Sequence, residues 1–528
     1  MAFRLSTISL AGLVLIPSFA FIIRNLVNRK RTHLPLPPGP TPVPLLGNIL
    51  SIKADEPWVT YTQWKAAYGD IVYSRALGQE IIIINSEDVA RALMEKRSHN
   101  YSDRPRLATI LPFGWGYNTG FQPYADRWRL HRRCLHQAFR ADSVSHYRPM
   151  QLRKARQLCL SIFETANSSE GNVLGEELVL HVQTFAASII MSATYDYETL
   201  PHNDPLVHIV ERALDLAIKF MTPEKAAILG FLPILLHLPD WFPGSVKSES
   251  KLSQKYSDDM VEVPFQHAMK SIREGTAGRC MISETKVDEE LEPDSRNVLE
   301  KALKDSSATA FVAGAETTAS TILVFILMMV LNPRVQKKAQ AELDSVIGNG
   351  RLPDYSDRPS LAYIDAILRE TLRWFPVVPL GMPHTATAAD VYEEYHIPKG
   401  AILVPNAWGM SRDETKYPDA SEFKPERFFN GEGELNDDTV VYSFGFGRRV
   451  CPGRYLADAS LWTAIVSLLA IFKFSKCKDE AGNDMEVVPQ WTTGLTSYPR
   501  FPCCIAPRMS GLDKEALVSL IHTSGSGV

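Results

Sequence analysis

Residues 443–453 read Ser443-Phe444-Gly445-Phe446-Gly447-Arg448-Arg449-Val450-Cys451-Pro452-Gly453. They carry the pattern F-x-x-G-x-R-x-C-x-G, which a shuffled chain of this composition shows with a chance of roughly one in ten thousand. Physically this is a loop that presents one thiolate to a metal. Gly447 permits a sharp turn, and Pro452 and Gly453 suit the start of a following helix. Backbone N–H groups at that helix start can donate to the sulfur and lower its pKa. Arg449 is placed to pair with an acidic edge of a cofactor, and Phe444 to shield the sulfur from water. A single cysteine ligand suits iron in a porphyrin, because the macrocycle supplies the other in-plane ligands.

The rest of the chain bounds what such a loop serves. It has 528 residues, 56 Lys+Arg against 60 Asp+Glu, 45% hydrophobic and 22% charged residues. Those values exclude a disordered chain and a wholesale nucleic-acid binder. The seven cysteines are scattered without a C-x-x-C pair, which argues against a disulfide framework or zinc site and for a reducing compartment. Cys503 and Cys504 read as core packing.

Leu5–Ile23 holds no charged residue and is followed by Arg24, Arg29, Lys30 and Arg31. This predicts a membrane-spanning anchor with the body on the cytoplasmic side. Ser18-Phe19-Ala20 offers a signal-cleavage site, but the apolar run continues past it. The expected organisation is therefore an anchor with basic flank over 1–31 and a Pro-rich hinge over 32–48. A catalytic domain over 49–507 and a loosely ordered tail over 508–528 follow. The hinge reads as a semi-rigid extended spacer.

The body reads as mainly α with small β-sheets. Helices are expected at Asp126–Phe139, about 150–165, 205–221, 305–331, 333–347 and 361–374, and a buried strand at Ile81–Ile84. A second apolar stretch, 226–238, is interrupted by Gly230 and Pro233. It is too short to span a bilayer and reads as core packing, with a monotopic membrane contact as the alternative.

With the cysteine loop, these features resemble a cytochrome P-450, a haem-thiolate monooxygenase of microsomal type, over nearly the whole chain. Further motifs add to the likeness. Glu370-Thr371-Leu372-Arg373 matches E-x-x-R, and Pro425-Glu426-Arg427-Phe428 resembles P-E-R-F. The resemblance implies a structural charge triad of Glu370, Arg373 and Arg427. Ala313-Gly314-Ala315-Glu316-Thr317 lies in the 305–331 helix. A helical glycine asks for a reason, and one bare position beside a flat cofactor would leave room for dioxygen. By family position Thr317 donates to bound peroxide and Glu316 relays protons; the plain alternative for Thr317 is a hydroxyl bonded within its own helix. Trp128 and Arg132, four apart, form a W-x-x-x-R pair for a haem propionate, and His384 occupies another propionate position. Arg127, Arg129, Arg133 and Arg140 make the same helix basic, either as a solvated face or as a dock for an acidic electron donor.

The resemblance implies haem b (iron protoporphyrin IX), with Cys451 the axial iron ligand and Phe444, Gly447, Arg449, Trp128, Arg132, His384 and Gly314 around it. It places the loop Tyr101–Tyr124, Phe311, Ala315, Val377, Val378 and Thr493–Leu495 along a pocket for a lipophilic substrate. Electrons would come from an NADPH–cytochrome P-450 reductase, with cytochrome b5 as a second donor, at the endoplasmic reticulum membrane. No nucleic acid is implied. The loop wording is similar to fungal members acting on secondary metabolites such as terpenoids or aromatic compounds. Two other functions fit the cofactor alone: a haem-thiolate isomerase or dehydratase that does not use O2, and a non-enzymatic haem sensor or carrier.

Overall fold

The computed structural model describes residues 34–525, apart from residues 170, 174, 201–202, 222, 243, 286–291, 349 and 493. The expected anchor with its basic flank, and Thr493, lie outside the described residues.

The helices that frame the site are α1 (Asp126–Phe139), α2 (Arg148–Ser168), α3 (Gly175–Tyr195), α4 (Pro205–Phe220), α5 (Lys247–Arg273), α6 (Pro293–Leu331), α7 (Ala362–Trp374) and α8 (Arg454–Ile471). Helix α6 runs 39 residues, about 58 Å at 1.5 Å per residue. It starts twelve residues before the expected Asp305 because the polar turns from Pro293, with Pro at the first helical position, are good helix starters without an apolar stripe. It stops at Asn332, and Pro333 opens the next helix, Pro333–Val346, since the residue before proline disfavours helix.

The main sheet has four strands, β1 (Ile71–Ala76), β2 (Gln79–Ile84), β3 (His384–Thr385) and β4 (Ile402–Pro405), in the order β1-β2-β4-β3. β2 runs parallel to β4 with Ile82 opposite Leu403, and His384 sits opposite Leu403 on the other side. Ile82, Ile83 and Ile84 are wholly buried, as the β-branched run predicts. The Pro-rich stretch is fastened to the body: the carbonyls of Pro35 and Pro38 accept from the N–H groups of His396 and Tyr73 at 2.7 and 2.9 Å. A last hairpin pairs Gln490–Trp491 with Pro499–Arg500, and the loop between them reaches α6.

Two apolar clusters share α6. One takes its Leu303–Phe311 part with α1, α4 and α5; the other takes Ala319–Val330 with α2, α3, α7 and α8. Between the buried runs Asp305–Phe311 and Thr318–Val330, Ala313 is exposed and its neighbours are only half-buried. The seam between the cores is therefore where α6 offers free surface.

Three expectations are corrected. The stretch 226–238 is core only in part: in the short helix Pro223–Phe231 and the turn Pro233–His237, Ala226 and Leu229 are buried, Leu229 within the α1–α4–α5 cluster, while Phe231 is 54% and Ile234 66% exposed. Trp241, just beyond, is 81% exposed. Gly230 and Pro233 break it into pieces too short to carry a continuous buried stripe. The tail is not loose, because α9 (Lys514–Gly525) buries Leu517, and its Ser524 hydroxyl accepts from the Leu352 N–H at 2.8 Å. Phe311 is 2% exposed inside the α1–α4–α5 cluster and presents no surface to a pocket.

Candidate functional site

Cys451 stands just before α8. Its N–H donates to the Phe444 carbonyl at 2.8 Å, closing the loop, and Phe444 is half-buried against the larger core. Gly447 has φ +56°, and a Cβ there would lie 2.0 Å from the Met94 carbonyl oxygen. Only glycine suits both the left-handed backbone and this approach. Burial pushes the Cys451 thiol up, while the Gly453 N–H and the guanidiniums of Arg132 and Arg454 pull it down. The expected lowering by those donors is present, and burial outweighs it.

Arg449, Trp128, Arg132 and His384 gather around this loop. Arg449 is buried and donates to the carbonyls of Ser102 and Gln122, both at 2.8 Å. Its guanidinium also covers the Trp128 ring at 4.3 Å. Arg132 donates to the Val450 carbonyl at 2.6 Å, one residue before the cysteine. His384 is buried, sharing a 2.6 Å hydrogen bond with the Tyr101 carbonyl. Burial, with Arg104 and Arg449 nearby, holds its pKa well below the ordinary histidine range, so the ring is neutral.

Arg104 is a member that no motif pointed to. It is buried and donates to the carbonyls of Gly120, Met382 and Pro383 at 2.9, 2.7 and 2.7 Å. Burial and Arg449 lower its pKa to about 9. Arg104, Arg132 and Arg449 thus converge with carbonyl partners and, among the described residues, no carboxylate in an ion pair with them. Buried guanidiniums call for compensating negative charge; Asp103 supplies part of it for Arg104 and Arg449 through space, and the donor set as a whole fits an anionic group such as the propionates of a haem.

Across the site lies the α6 seam. Gly314 has a packing reason: a Cβ there would come 3.1 Å from Ile190 of α3. Thr317 is half-buried, and its hydroxyl donates to the Ala313 carbonyl at 2.7 Å, the bond within its own helix weighed above. Glu316 does not meet Thr317 directly. Its carboxylate accepts from the Thr496 hydroxyl, in the loop of the last hairpin, and burial pushes its pKa up. Val377, Val378 and Ala315 are half-buried and Leu495 is exposed. The Ser497 N–H donates to the Val377 carbonyl at 2.9 Å, tying two of the expected pocket segments together.

Behind the cysteine loop the charge triad is formed. Arg373 donates twice to Glu370, at 2.6 and 2.8 Å, and Arg427 once at 3.2 Å; Glu370 and Arg373 are wholly buried. The basic helix face is largely paired locally. Arg127 meets buried Asp305 at 2.8 Å, Arg129 meets Asp126, and Arg140 meets Asp142. On the cysteine-loop surface a hollow of about 450 Å³ is lined by Arg91, Ser98, Phe444, Gly447, Arg448 and Arg454.

The sequence model described as Cytochrome P450 matches residues 37–499. The chain belongs to the cytochrome P450 family. Cytochrome P450 relatives align along most of their length. One from Rhodocybe pseudopiperita, the cytochrome P450 monooxygenase ple1, is 38% identical over 495 residues, covering 92% of this chain and 91% of its own. Another from Armillaria gallica is 36% identical over 486 residues, covering 91% and 93%. The cytochrome P450 monooxygenase ppsD of Aspergillus oryzae is 35% identical over 498 residues, covering 93% and 92%. This cytochrome P450 is a haem-thiolate monooxygenase, so O2, a small-molecule substrate and a redox partner belong to its reaction.

Proposed function

We propose that this cytochrome P450 holds haem b through the Cys451 sulfur and inserts one atom of O2 into a lipophilic small molecule. The observation that carries the reading is the convergence of Arg104, Arg132 and Arg449 beside Cys451 on carbonyl partners, with Asp103 near Arg104 and Arg449 but in no ion pair with them among the described residues. Once bound there, the haem supplies dioxygen activation, with the thiolate favouring O–O cleavage.

The chain's own residues do the rest. Cys451 ligates, with Phe444 and Gly447 shaping its loop. Arg449, Arg132, Trp128 and neutral His384 hold the propionates by charge-assisted and neutral hydrogen bonds. Gly314 lets α6 approach α3, and its missing side chain would leave room for dioxygen at the seam. Thr317 rests with its O–H on the Ala313 carbonyl and turns it into the site to give up a proton, taking another onto its oxygen. Glu316, whose raised pKa suits a proton carrier, relays protons from solvent to the seam, and water completes the path to Thr317. Ala315, Val377, Val378 and Leu495 give the substrate an apolar wall, which favours a terpenoid or aromatic compound, the class of secondary metabolite suggested by the loop wording.

Electrons reach the site from an NADPH–cytochrome P-450 reductase, with cytochrome b5 as a second donor, at the arginine-lined hollow beside Cys451. The anchor over Leu5–Ile23 holds the enzyme in the endoplasmic reticulum membrane as a single span, catalytic body toward the cytoplasm. Exposed Ile234, Trp241 and their apolar neighbours add an interfacial contact.

The test is NADPH oxidation by membranes carrying the enzyme. The reading predicts a dependence on added reductase, and oxygenated products when terpenoid or aromatic candidates are supplied to cells co-expressing both proteins. NADPH oxidation unchanged by reductase would overturn it. Deleting residues 1–31 moves much of the protein to the soluble fraction, and what stays bound measures the contact through 226–242.

A further inference from the structure

We infer that Thr496 is the positioning residue for Glu316: its hydroxyl fixes the carboxylate at the edge of the α6 seam and so governs proton supply to the site. The inference rests on the reading that Glu316 and Thr317 move protons.

Consecutive residues on a helix diverge by about 100°, so Glu316 and Thr317 cannot present their side chains to the same point. Thr317 turns to the Ala313 carbonyl, and Glu316 turns to the last hairpin, where the Thr496 Oγ1 donates to its Oε1. Among the described residues no cation forms an ion pair with Glu316. Thr496 is the partner that satisfies it, and this residue is 8% exposed on a loop held by its own hydrogen bonds. Thr492 and Tyr498 close that loop, with the Thr492 N–H donating to the Tyr498 carbonyl at 3.0 Å and the Tyr498 N–H to the Thr492 Oγ1 at 3.0 Å. The Ser497 hydroxyl adds a bond to the Thr492 carbonyl at 2.7 Å, and its N–H is held by Val377.

Burial raises the Glu316 pKa and the Thr496 bond opposes that, so the hydroxyl sets both where the carboxyl lies and how readily it gives up its proton. The same loop carries exposed Leu495 and is bonded to Val377. A substrate resting on those two side chains therefore bears on the element that holds the acid.

The experiment uses the full-length enzyme in membranes with added reductase, NADPH and dioxygen, and no other substrate. Hydrogen peroxide released per NADPH is followed across pH for the parent, Thr496→Val, Thr496→Ser, Glu316→Gln and the double variant Glu316→Gln/Thr496→Val. Each variant is first matched by its reduced-CO spectrum, and Thr496→Ala takes the place of Thr496→Val if the latter takes up no haem.

Thr496→Val should raise the peroxide ratio about threefold or more and move its pH dependence to higher pH. Thr496→Ser should restore both, and the double variant should match Glu316→Gln. If Glu316→Gln raises the ratio while Thr496→Val does not, or if serine fails to restore it, the role of Thr496 is overturned and the proton-relay reading stands. If Glu316→Gln itself leaves the ratio unchanged, the relay reading fails and the inference fails with it.

Discussion

Gly447 lies so close to Met94 that a Cβ would fall 2.0 Å from the Met94 carbonyl oxygen, at a backbone φ of +56°. The cysteine loop is therefore shaped from beneath, by the Arg91–Lys96 turn, as well as by its own hydrogen bonds. Gly447→Ala should cost at least about 2 kcal/mol through the left-handed backbone and the clash together. The expected outcome is a lower urea midpoint and a reduced yield of the thiolate-type CO spectrum. A parent-like midpoint and spectrum would mean that the loop can move aside.

The Glu370–Arg373–Arg427 triad is buried and its pairs are charged, so removing one member strands the others. Glu370→Ala should destabilise the fold by about 3–5 kcal/mol. Replacing Glu370 and Arg373 together by apolar residues should cost less than the sum of the two single changes. Unfolding of the solubilised enzyme measures both, and strict additivity would show that the pair acts independently.

Arg104 tests the anion cradle away from the sulfur. Arg104→Gln keeps a donor for the carbonyls of Gly120, Met382 or Pro383 but removes the charge. Haem should then be held roughly 10- to 100-fold more weakly, with the thiolate-type spectrum retained in the fraction that is loaded. Transfer of haem to an apo-globin acceptor reads this as a faster loss. An unchanged rate would remove Arg104 from the cradle.

His131 predicts a pH effect. Its Nδ1 shares a 3.0 Å hydrogen bond with the Thr119 hydroxyl, and its Nε2 stands 3.9 Å from Asp305. Burial holds its pKa down to about 4 against the pull of Asp305. The unfolded chain takes up this proton near pH 6.5 while the folded one resists it. Stability from the neutral ring is thus full above about pH 6.5 and is lost as pH falls toward 4, by up to about 3 kcal/mol. His131→Asn should flatten that part of the stability–pH curve. Parallel curves for the two proteins would contradict it.

What the sequence displayed and what it hid follow from physics at particular residues. The cysteine loop, E-x-x-R with P-E-R-F, and W-x-x-x-R were legible because each needs fixed residue types at fixed spacing. Helices with one polar and one apolar face, such as Asp126–Phe139 and Ala362–Trp374, were legible from their period. Helix α8 and the second half of α3 are buried on nearly every side, which erases the period that marks a helix. Helix α5 is largely polar and carries Pro264 inside, which reads as a break. Arg104 and Thr496 escaped because their partners are backbone carbonyls and a residue 180 positions away, pairings that leave no local pattern. Phe311 misled for the opposite reason: its place beside the seam is right, but α6 turns its ring into the core.

The Cys451 sulfur is the proposed haem-iron ligand, and the reduced-CO spectrum of purified Cys451→Ala beside the parent tests it most directly. The parent should show the thiolate-type band and the variant should lack it, with any haem it retains giving a spectrum without that band. An unchanged thiolate-type band in Cys451→Ala would contradict the assignment.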